Sequence, residues 1–499
     1  MRLSEIIAGS GATLPAGAPD PDVTAVVHDS RKVIPGALFV CLPGQKVDGH
    51  TFAAGAVASG AAAVIGERPL DLPVPALVAP SARAALARAA ANLHGNPADR
   101  LVLAGITGTN GKTTVTYLYE AIAEAARLRC GVIGTVNYRY AGRVLPADHT
   151  TPESVELQAL LAGMVDAGCT SAVMEVSSHA LAQDRVLGLS FAAAAFTNLT
   201  RDHLDFHQDM ERYFAAKARL FREHLRPGAI AVVNGDDPYG RRLHEELAAA
   251  GVTCWRFSLE DPHAELSVRD VEIGIGGIAA TLVTPRGDAK IRSPLVGAHN
   301  LQNLLTAAGL GLAAGLPISA VAEGLTKSGG APGRLERVDG PGGVVAFVDY
   351  AHTDDALRRA CAALREVAPG RLITVFGCGG DRDKGKRPLM GEVAGRGSDL
   401  AVVTSDNPRT EDPARIVEMI VPGVERAGRR RLSPDEARAG ADGFVVEVDR
   451  RRAIDLAAAC AKPGDVILVA GKGHEDYQIL GTAKIHFDDR EEARRALGA

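Results

Sequence analysis

Residues 101–115 read LVLAGITGTNGKTTV, and this stretch leaves the chain few folds. An uncharged apolar run of this kind is a buried strand of a mostly parallel sheet. It runs into Gly108, Thr109, Asn110, Gly111, Lys112, Thr113 and Thr114, and a helix-forming segment follows. Strand, glycine turn and helix start, in that order, build a nest of backbone N–H groups. Gly108 and Gly111 let the chain wrap an anion with no Cβ in the way. The helix N-terminus adds partial positive charge. Lys112 suits the β and γ phosphates of a nucleotide, and the Thr113 hydroxyl suits Mg²⁺. The spacing departs from the common G-x-x-x-x-G-K-[ST] loop, whose first glycine would fall at Ile106. The alternative is a structural glycine turn without a ligand.

With 499 residues the chain has room for about three domains. A net charge of −5 and only 4% aromatic residues exclude a general nucleic-acid partner. The seven cysteines are scattered, with no CxxC pair, which argues against a disulfide framework or a zinc site. A reducing, cytoplasmic setting follows. The N-terminus has no basic start followed by an apolar core, so a secretory signal is not expected. The apolar windows fall short of the roughly 18–20 residues of a membrane span.

Residues 1–98 read as a small α/β unit that closes at Asn96-Pro97. Residues 99–330 alternate strand and helix, which predicts a parallel sheet under helices. A period-two stretch at residues 265–297 predicts antiparallel strands inside this unit. Residues 331–499 start a third α/β unit, with buried strands in VVAFVDY, RLITVFG, DLAVVTSD and DVILVAG. The Arg-rich run near residues 426–443 reads as a solvated helix end or loop.

Several further clusters follow apolar strands, where open α/β sheets gather ligands. Glu175, Ser177 and His179 end one strand, and Asn198 to His207 follow another. Thr150-Thr151-Pro152-Glu153 reads by itself as a helix N-cap with an acidic first turn. Lys217 sits in an amphipathic helical segment, where a lone lysine is ordinarily a solvated charge. The DSR and PG of residues 29–44 are also ordinary turn chemistry.

The wording GTNGKTT resembles the Mur ligases and the related folylpolyglutamate synthetases. The rest of the chain resembles the Mur ligase branch that extends a UDP-muramoyl dipeptide with a diamino acid. Its motifs occur in family order along nearly the whole chain. The resemblance implies a UDP-substrate domain at 1–98, a central P-loop ATPase domain at 99–330 and a Rossmann-like amino-acid domain at 331–499. It implies His28, Ser30, Gln45, Lys46 and Val47 on the nucleotide sugar. Thr150, Thr151, Ser177, Gln183 and Arg185 would hold the muropeptide. Gly108 to Thr114, Asn300, Asn303, Arg334 and Asp349 would hold ATP. Thr113, Glu175, His203 and Lys217 would serve Mg²⁺, with Lys217 carbamylated to N6-carboxylysine. Lys112, Glu175, His203 and Lys217 then form the catalytic set. Mg²⁺ is favoured over zinc because phosphates and carboxylates are its natural co-ligands.

The acceptor is read from the third unit. Arg382 lies in GGDRDKGKRP, Asp406, Asn407, Pro408 and Arg409 form DNPR, and Gly471 and Glu475 lie in GKGHE. Each motif follows an apolar strand, so the three can share one crevice. Arginines grip a carboxylate in forked geometry, and Asp406 and Glu475 answer an ammonium. DNPR in this family implies meso-diaminopimelate rather than lysine. The implied partners are ATP, UDP-MurNAc-L-Ala-D-Glu and meso-diaminopimelate, and a monomer is expected. The alternatives are a Mur-type ligase for another acceptor, a folylpolyglutamate synthetase, and a binding protein with a degenerate nucleotide site.

Overall fold

The computed structural model describes residues 1–44 and 47–498. The chain forms two compact units. The first comprises Met1–Val268, Leu282–Ala289 and Asn303–Leu325, and the second comprises Arg269–Thr281, Lys290–Gln302 and Thr326–Ala499.

The first unit opens with a four-stranded sheet, Ala25–Val27, Ala37–Val40, Ala63–Gly66 and Ala76–Val78, paired in chain order and all parallel. Helix Ala82–Leu93 covers it, capped by the Ser81 hydroxyl, which accepts the Ala84 N–H. Its inner face is Ala82, Ala85, Leu86 and Ala89, packed with Leu38, Val40 and Ile65. The short helix Ala53–Ala58 stops at Ser59, and the chain turns before the next strand.

An eight-stranded sheet forms the centre of this unit. Its spatial order is Cys254–Phe257, Leu225–Asn234, Phe191–Phe196, Val102–Thr107, Ser171–Glu175, Cys130–Ile133, Asn137–Tyr140 and Arg143–Pro146. The first six strands pair parallel, and the last two turn back antiparallel. Strand Val102–Thr107 is thus flanked by two parallel neighbours, which is why its residues are apolar on both faces. The chain passes from Ser171–Glu175 on one side of it to Phe191–Phe196 on the other. Such a crossing opens a crevice at the carboxyl ends of these strands. Leu103, Phe191, Phe196, Phe214 and Phe221 are essentially fully buried beneath it. Each such side chain contributes about 1.5–3 kcal/mol.

The second unit holds a six-stranded sheet ordered Glu336–Asp339, Val345–Asp349, Val466–Ala470, Leu372–Phe376, Leu400–Val403 and Gly443–Val446. The first pair is antiparallel and the others are parallel. Three adjacent strands, ending at Ala470, Phe376 and Val403, therefore deliver their loops to one edge. A two-stranded hairpin, Tyr477–Leu480 with Ala483–His486, follows the first of them. The period-two stretch forms a three-stranded sheet of Ser267–Gly274, Gly277–Val283 and Ala289–Ser293.

The Arg-rich run is only partly solvated. Arg429 donates to the carbonyls of Gly395 at 2.7 Å and Ser398 at 2.6 Å, so it braces a helix end. Helix Pro434–Arg438 starts at Ser433 with a reciprocal Ser433–Glu436 capping box. Among the described residues no helix is long and apolar enough to cross a membrane.

Candidate active site

The glycine loop leaves strand Val102–Thr107 and ends at Gly111, the N-cap of helix Lys112–Ala125. Gly108 has φ +146° and Gly111 has φ +87°. A Cβ at Gly108 would overlap Thr197 Oγ1, and one at Gly111 would overlap Asn303 Oδ1. The loop is held from outside. Asn198 accepts the Thr109 N–H through its carbonyl at 2.8 Å and the Asn110 N–H through Oδ1 at 3.0 Å. Thr197 Oγ1 donates to the Asn110 carbonyl at 2.6 Å. Thr109 Oγ1 lies 3.2 Å from the Tyr213 hydroxyl. Lys112 Nζ donates to the carbonyls of Gly108 and Thr109, each at 3.0 Å. Thr113 and Thr114 are buried in the first helical turn.

Glu175, at the end of the neighbouring strand, is 1% exposed. Its Oε1 accepts the Thr113 hydroxyl at 3.0 Å and the Thr135 N–H at 2.8 Å, and its Oε2 accepts the Thr135 hydroxyl at 3.1 Å. Thr135 Oγ1 is in turn 3.0 Å from Thr150 Oγ1. Thr151 donates to the Glu175 carbonyl at 2.8 Å and accepts the Ser177 N–H at 3.0 Å. Hydroxyl and carboxylate oxygens thus meet beside the glycine loop. This donor set suits Mg²⁺, a hard ion that completes its shell with phosphates and water. Thr135 was not read from the sequence. Its signal was faint, because Gly134-Thr135 follows a strand of only four residues, Cys130–Ile133.

Lys217 lies on helix Met210–Glu223, capped by Asp209, whose side chain accepts the Arg212 N–H. It is 1% exposed, not solvated, and its Nζ donates to the Gly108 carbonyl at 2.8 Å. The spacing of Tyr213, Phe214, Lys217, Leu220 and Phe221 places the lysine on the buried stripe. Nζ also sits 4.6 Å from the centre of the Tyr213 ring. Burial, reinforced by the Lys112 charge, holds its pKa well below the usual lysine value. His203 stands at φ +51° and is about half-exposed, with its ring 4.9 Å from that of His179 and 6.1 Å from that of Tyr213. Burial lowers its pKa, and Asp202 works against that.

Arg185 is fixed by three groups. It pairs with Glu153 at 2.9 Å, donates to the Thr151 carbonyl at 3.0 Å and reaches Gln183 Oε1 at 2.8 Å. Arg83 approaches the same Glu153 at 3.6 Å. Glu153, not a threonine, is the N-cap residue of helix Ser154–Asp166, and it makes no side-chain cap bond. Ser177 caps helix Ser178–Ala182 by accepting the Ala180 N–H. His28 and Ser30 lie at and after the end of strand Ala25–Val27, and Ser30 opens a one-turn helix ending at Lys32. Lys32 Nζ meets Glu156 at 3.0 Å, which ties this turn to the helix after Thr151. Val47 is exposed. Gln45 and Lys46 lie outside the described residues.

Asn300 and Asn303 lie on helix Ala298–Ala313. Asn300 Nδ2 donates to the Val296 carbonyl at 2.9 Å. In the second unit, Arg334 lies 5.0 Å from the centre of the Tyr350 ring. Asp349 accepts the Leu335 N–H at 2.7 Å, and burial raises its pKa against the pull of Arg334.

The three acceptor loops are hydrogen-bonded to one another. The Gly380 N–H donates to the Asn407 carbonyl at 2.9 Å, and Arg409 Nη1 donates to the Gly380 carbonyl at 2.8 Å. Asn407 Nδ2 donates to Glu475 Oε2 at 2.9 Å. Arg409 has φ +52°, a left-handed turn imposed after Pro408. Asp406, Asn407 and Pro408 are buried, as is Gly471, whereas Arg382 is exposed. Arg450, which the sequence reading missed, lies behind these loops. It forms a fully buried ion pair with Asp489 at 2.6 Å. It also donates to the carbonyls of Ser405 at 3.2 Å and Ala470 at 2.9 Å, fixing the roots of two loops.

Comparison with known proteins places this geometry in a family. Residues 22–103 match the Mur ligase family catalytic domain, 106–311 the Mur ligase middle domain, and 333–473 the Mur ligase glutamate ligase domain. The chain belongs to the Mur ligase family, and its fold is the α/β Mur ligase architecture. It is 49% identical over 506 residues to a UDP-N-acetylmuramoyl-L-alanyl-D-glutamate–2,6-diaminopimelate ligase of Geobacter metallireducens, covering 100% of this chain and 98% of that protein. It is 51% identical over 501 residues to the ligase of the same description from Gloeobacter violaceus, again covering 100% and 98%. A solved structure of a ligase so described is 34% identical, with a TM-score of 0.75, covering 100% of this chain and 99% of the other.

Proposed function

We propose that this chain is an ATP-dependent ligase that joins meso-diaminopimelate to UDP-N-acetylmuramoyl-L-alanyl-D-glutamate in peptidoglycan precursor synthesis. The observation that carries the acceptor assignment is the bonded set Gly380, Asn407, Arg409 and Glu475. It puts a forked cation and a carboxylate in one loop cluster, which suits a zwitterion bearing a second amino-acid centre.

The site residues divide as follows. ATP takes the loop Gly108 to Thr114, with Asn300, Asn303, Arg334 and Asp349 toward the nucleoside. The muropeptide takes Thr150, Thr151, Ser177, Gln183 and Arg185, and its nucleotide takes His28, Ser30, Gln45, Lys46 and Val47. Arg382, Asp406 to Arg409, Gly471 and Glu475 take the acceptor. The division into residues 1–98, 99–330 and 331–499 assigns one reactant to each domain. The protein acts as a cytoplasmic monomer.

The D-glutamyl carboxylate attacks the γ-phosphate of ATP, giving an acyl phosphate and ADP. Lys112 offsets charge on the phosphoryl group as it moves. The acceptor amine then attacks the acyl carbon, and phosphate leaves. Thr113, Glu175, His203 and carbamylated Lys217 would hold Mg²⁺, which neutralises phosphate charge. Lys217 is suited to carbamylation because burial favours its neutral amine, the form that adds to CO₂ with loss of a proton. The product is an anion where a neutral amine stood.

The test is ADP release by the purified protein with the UDP-muropeptide, Mg²⁺ and bicarbonate, offering meso-diaminopimelate or L-lysine. Turnover with diaminopimelate alone supports the proposal. Turnover with lysine overturns the acceptor assignment, and none with either overturns the ligase.

A further inference from the structure

The acceptor loops contain a buried cation that the reaction just described does not use. Lys472 is fully buried, which is rare for a lysine unless it is paired. Its ammonium has three acceptors: Asn407 Oδ1 at 3.4 Å, Glu475 Oε2 at 3.4 Å and the Tyr477 carbonyl. An ammonium has three donors, so this set leaves none over for a ligand. The partners are themselves constrained. Asn407 Oδ1 accepts the Ile479 N–H at 3.0 Å, which fixes the amide with Nδ2 toward Glu475 Oε2, 2.9 Å away. Glu475 Oε2 is thus held from two sides. Its Oε1 meets no hydrogen-bond donor among the described residues, and neither does the carboxylate of Asp406, a residue 6% exposed.

We propose that Lys472 is a positioning residue for acceptor recognition. Its ammonium and the Asn407 amide grip one oxygen of Glu475, which turns the other oxygen toward the ammonium at the second centre of the acceptor. Lys472 itself does not touch the acceptor. It also sets the charge. Asp406, Glu475 and Lys472 together carry one net negative charge, matched by one incoming ammonium. Without Lys472, the Asn407 amide alone holds Glu475 Oε2, and the direction of the second oxygen is less fixed. The inference rests on the ligase reading above and adds to it the residue that makes the site read an amine.

The test compares meso-diaminopimelate with 2-aminopimelate, which keeps both carboxylates and lacks the second amine. In Lys472→Gln the KM for meso-diaminopimelate rises about 10–100-fold, the scale of a charged hydrogen bond. The preference for meso-diaminopimelate over 2-aminopimelate falls by a similar factor. The KM values for ATP and UDP-muropeptide stay within about twofold, which a general loss of structure would not allow. Should Lys472→Gln not fold, Asn407→Leu removes the other donor to Glu475 Oε2 and must lower the same preference. An unchanged preference in the folded variant, or a parallel rise in all three KM values, overturns the inference while an active wild-type enzyme keeps the ligase reading. A wild-type enzyme inactive with meso-diaminopimelate overturns both.

Discussion

Lys112 and Lys217, 105 positions apart, donate to the same oxygen, the carbonyl of Gly108, at 3.0 and 2.8 Å. Two ammonium groups on one carbonyl are an unstable pair, and the buried one is held toward its neutral form. Carbamylation relieves this by turning one partner into an anion. CO₂ depletion is therefore expected to lower ligase turnover, and bicarbonate to restore it. Lys217→Ala is expected to lose at least about 10²-fold in kcat, the scale of removing a group that stabilises transferring charge. ADP release measured with and without bicarbonate checks both. Full activity of Lys217→Ala sinks the assignment.

Gly111 is a second test of the nucleotide loop. At φ +87° a side chain costs about 1–2 kcal/mol, and its Cβ would overlap the Asn303 side chain. Gly111→Ala is expected to weaken nucleotide binding strongly and to lower Tm by several degrees. Titration with a fluorescent ATP analogue and a melting curve read the two effects separately. Unchanged nucleotide affinity would show that the loop does not cradle phosphate.

Arg409 tests the acceptor. Its Nη1 is spent on the Gly380 carbonyl, which fixes the plane of the fork toward a carboxylate. Arg409→Lys keeps the charge and loses the fork. It is expected to raise the KM for meso-diaminopimelate by about 10–100-fold with little change in that for ATP. Arg409→Met is expected to narrow the gap between diaminopimelate and lysine, because no cation is then left unpaired by lysine. Acceptor kinetics on both variants decide it.

His474 contributes to the acid limit. Burial, then the charges of Arg334 and Arg490, push its pKa down to about 4. An unfolded histidine titrates near about 6.5. Between these values the unfolded chain binds a proton that the folded one refuses, so stability falls as pH drops. The contribution is complete above pH about 6.5 and fades toward 4. His474→Phe keeps a ring beside Tyr350, now 5.0 Å away, and should flatten the decline of Tm over that range. Melting curves from pH 7 to 4.5 on both proteins check the slope.

Much of this molecule can be read in its sequence. Apolar runs with turn residues after them mark the strands that carry the loops, because burial on both faces allows little else. The glycine loop is legible because few residues tolerate its backbone. Other features were hidden. Thr135 follows a strand of only four residues, Cys130–Ile133. Arg450 looks like any helix-start arginine until Asp489, 39 positions later, closes over it. Lys217 taken in isolation looked solvated, and only the resemblance made it a site residue, although its spacing with Phe214 and Phe221 already placed it on the buried stripe.

The sequence by itself determined which segments become strands, where glycine must bend the chain, and which chemical groups stand at strand ends. These follow from local sterics and from burial of apolar side chains. Only the tertiary structure decided which groups meet. Thr113, on the helix that follows strand Val102–Thr107, reaches Glu175 because that strand and Ser171–Glu175 are parallel neighbours, paired Ile106 to Glu175. Lys472, Asn407 and Glu475 share their bonds because strands Val466–Ala470 and Leu400–Val403 flank Leu372–Phe376. Hydrogen bonds act over about 3 Å, and adjacency at that range is set by strand order rather than by distance along the chain.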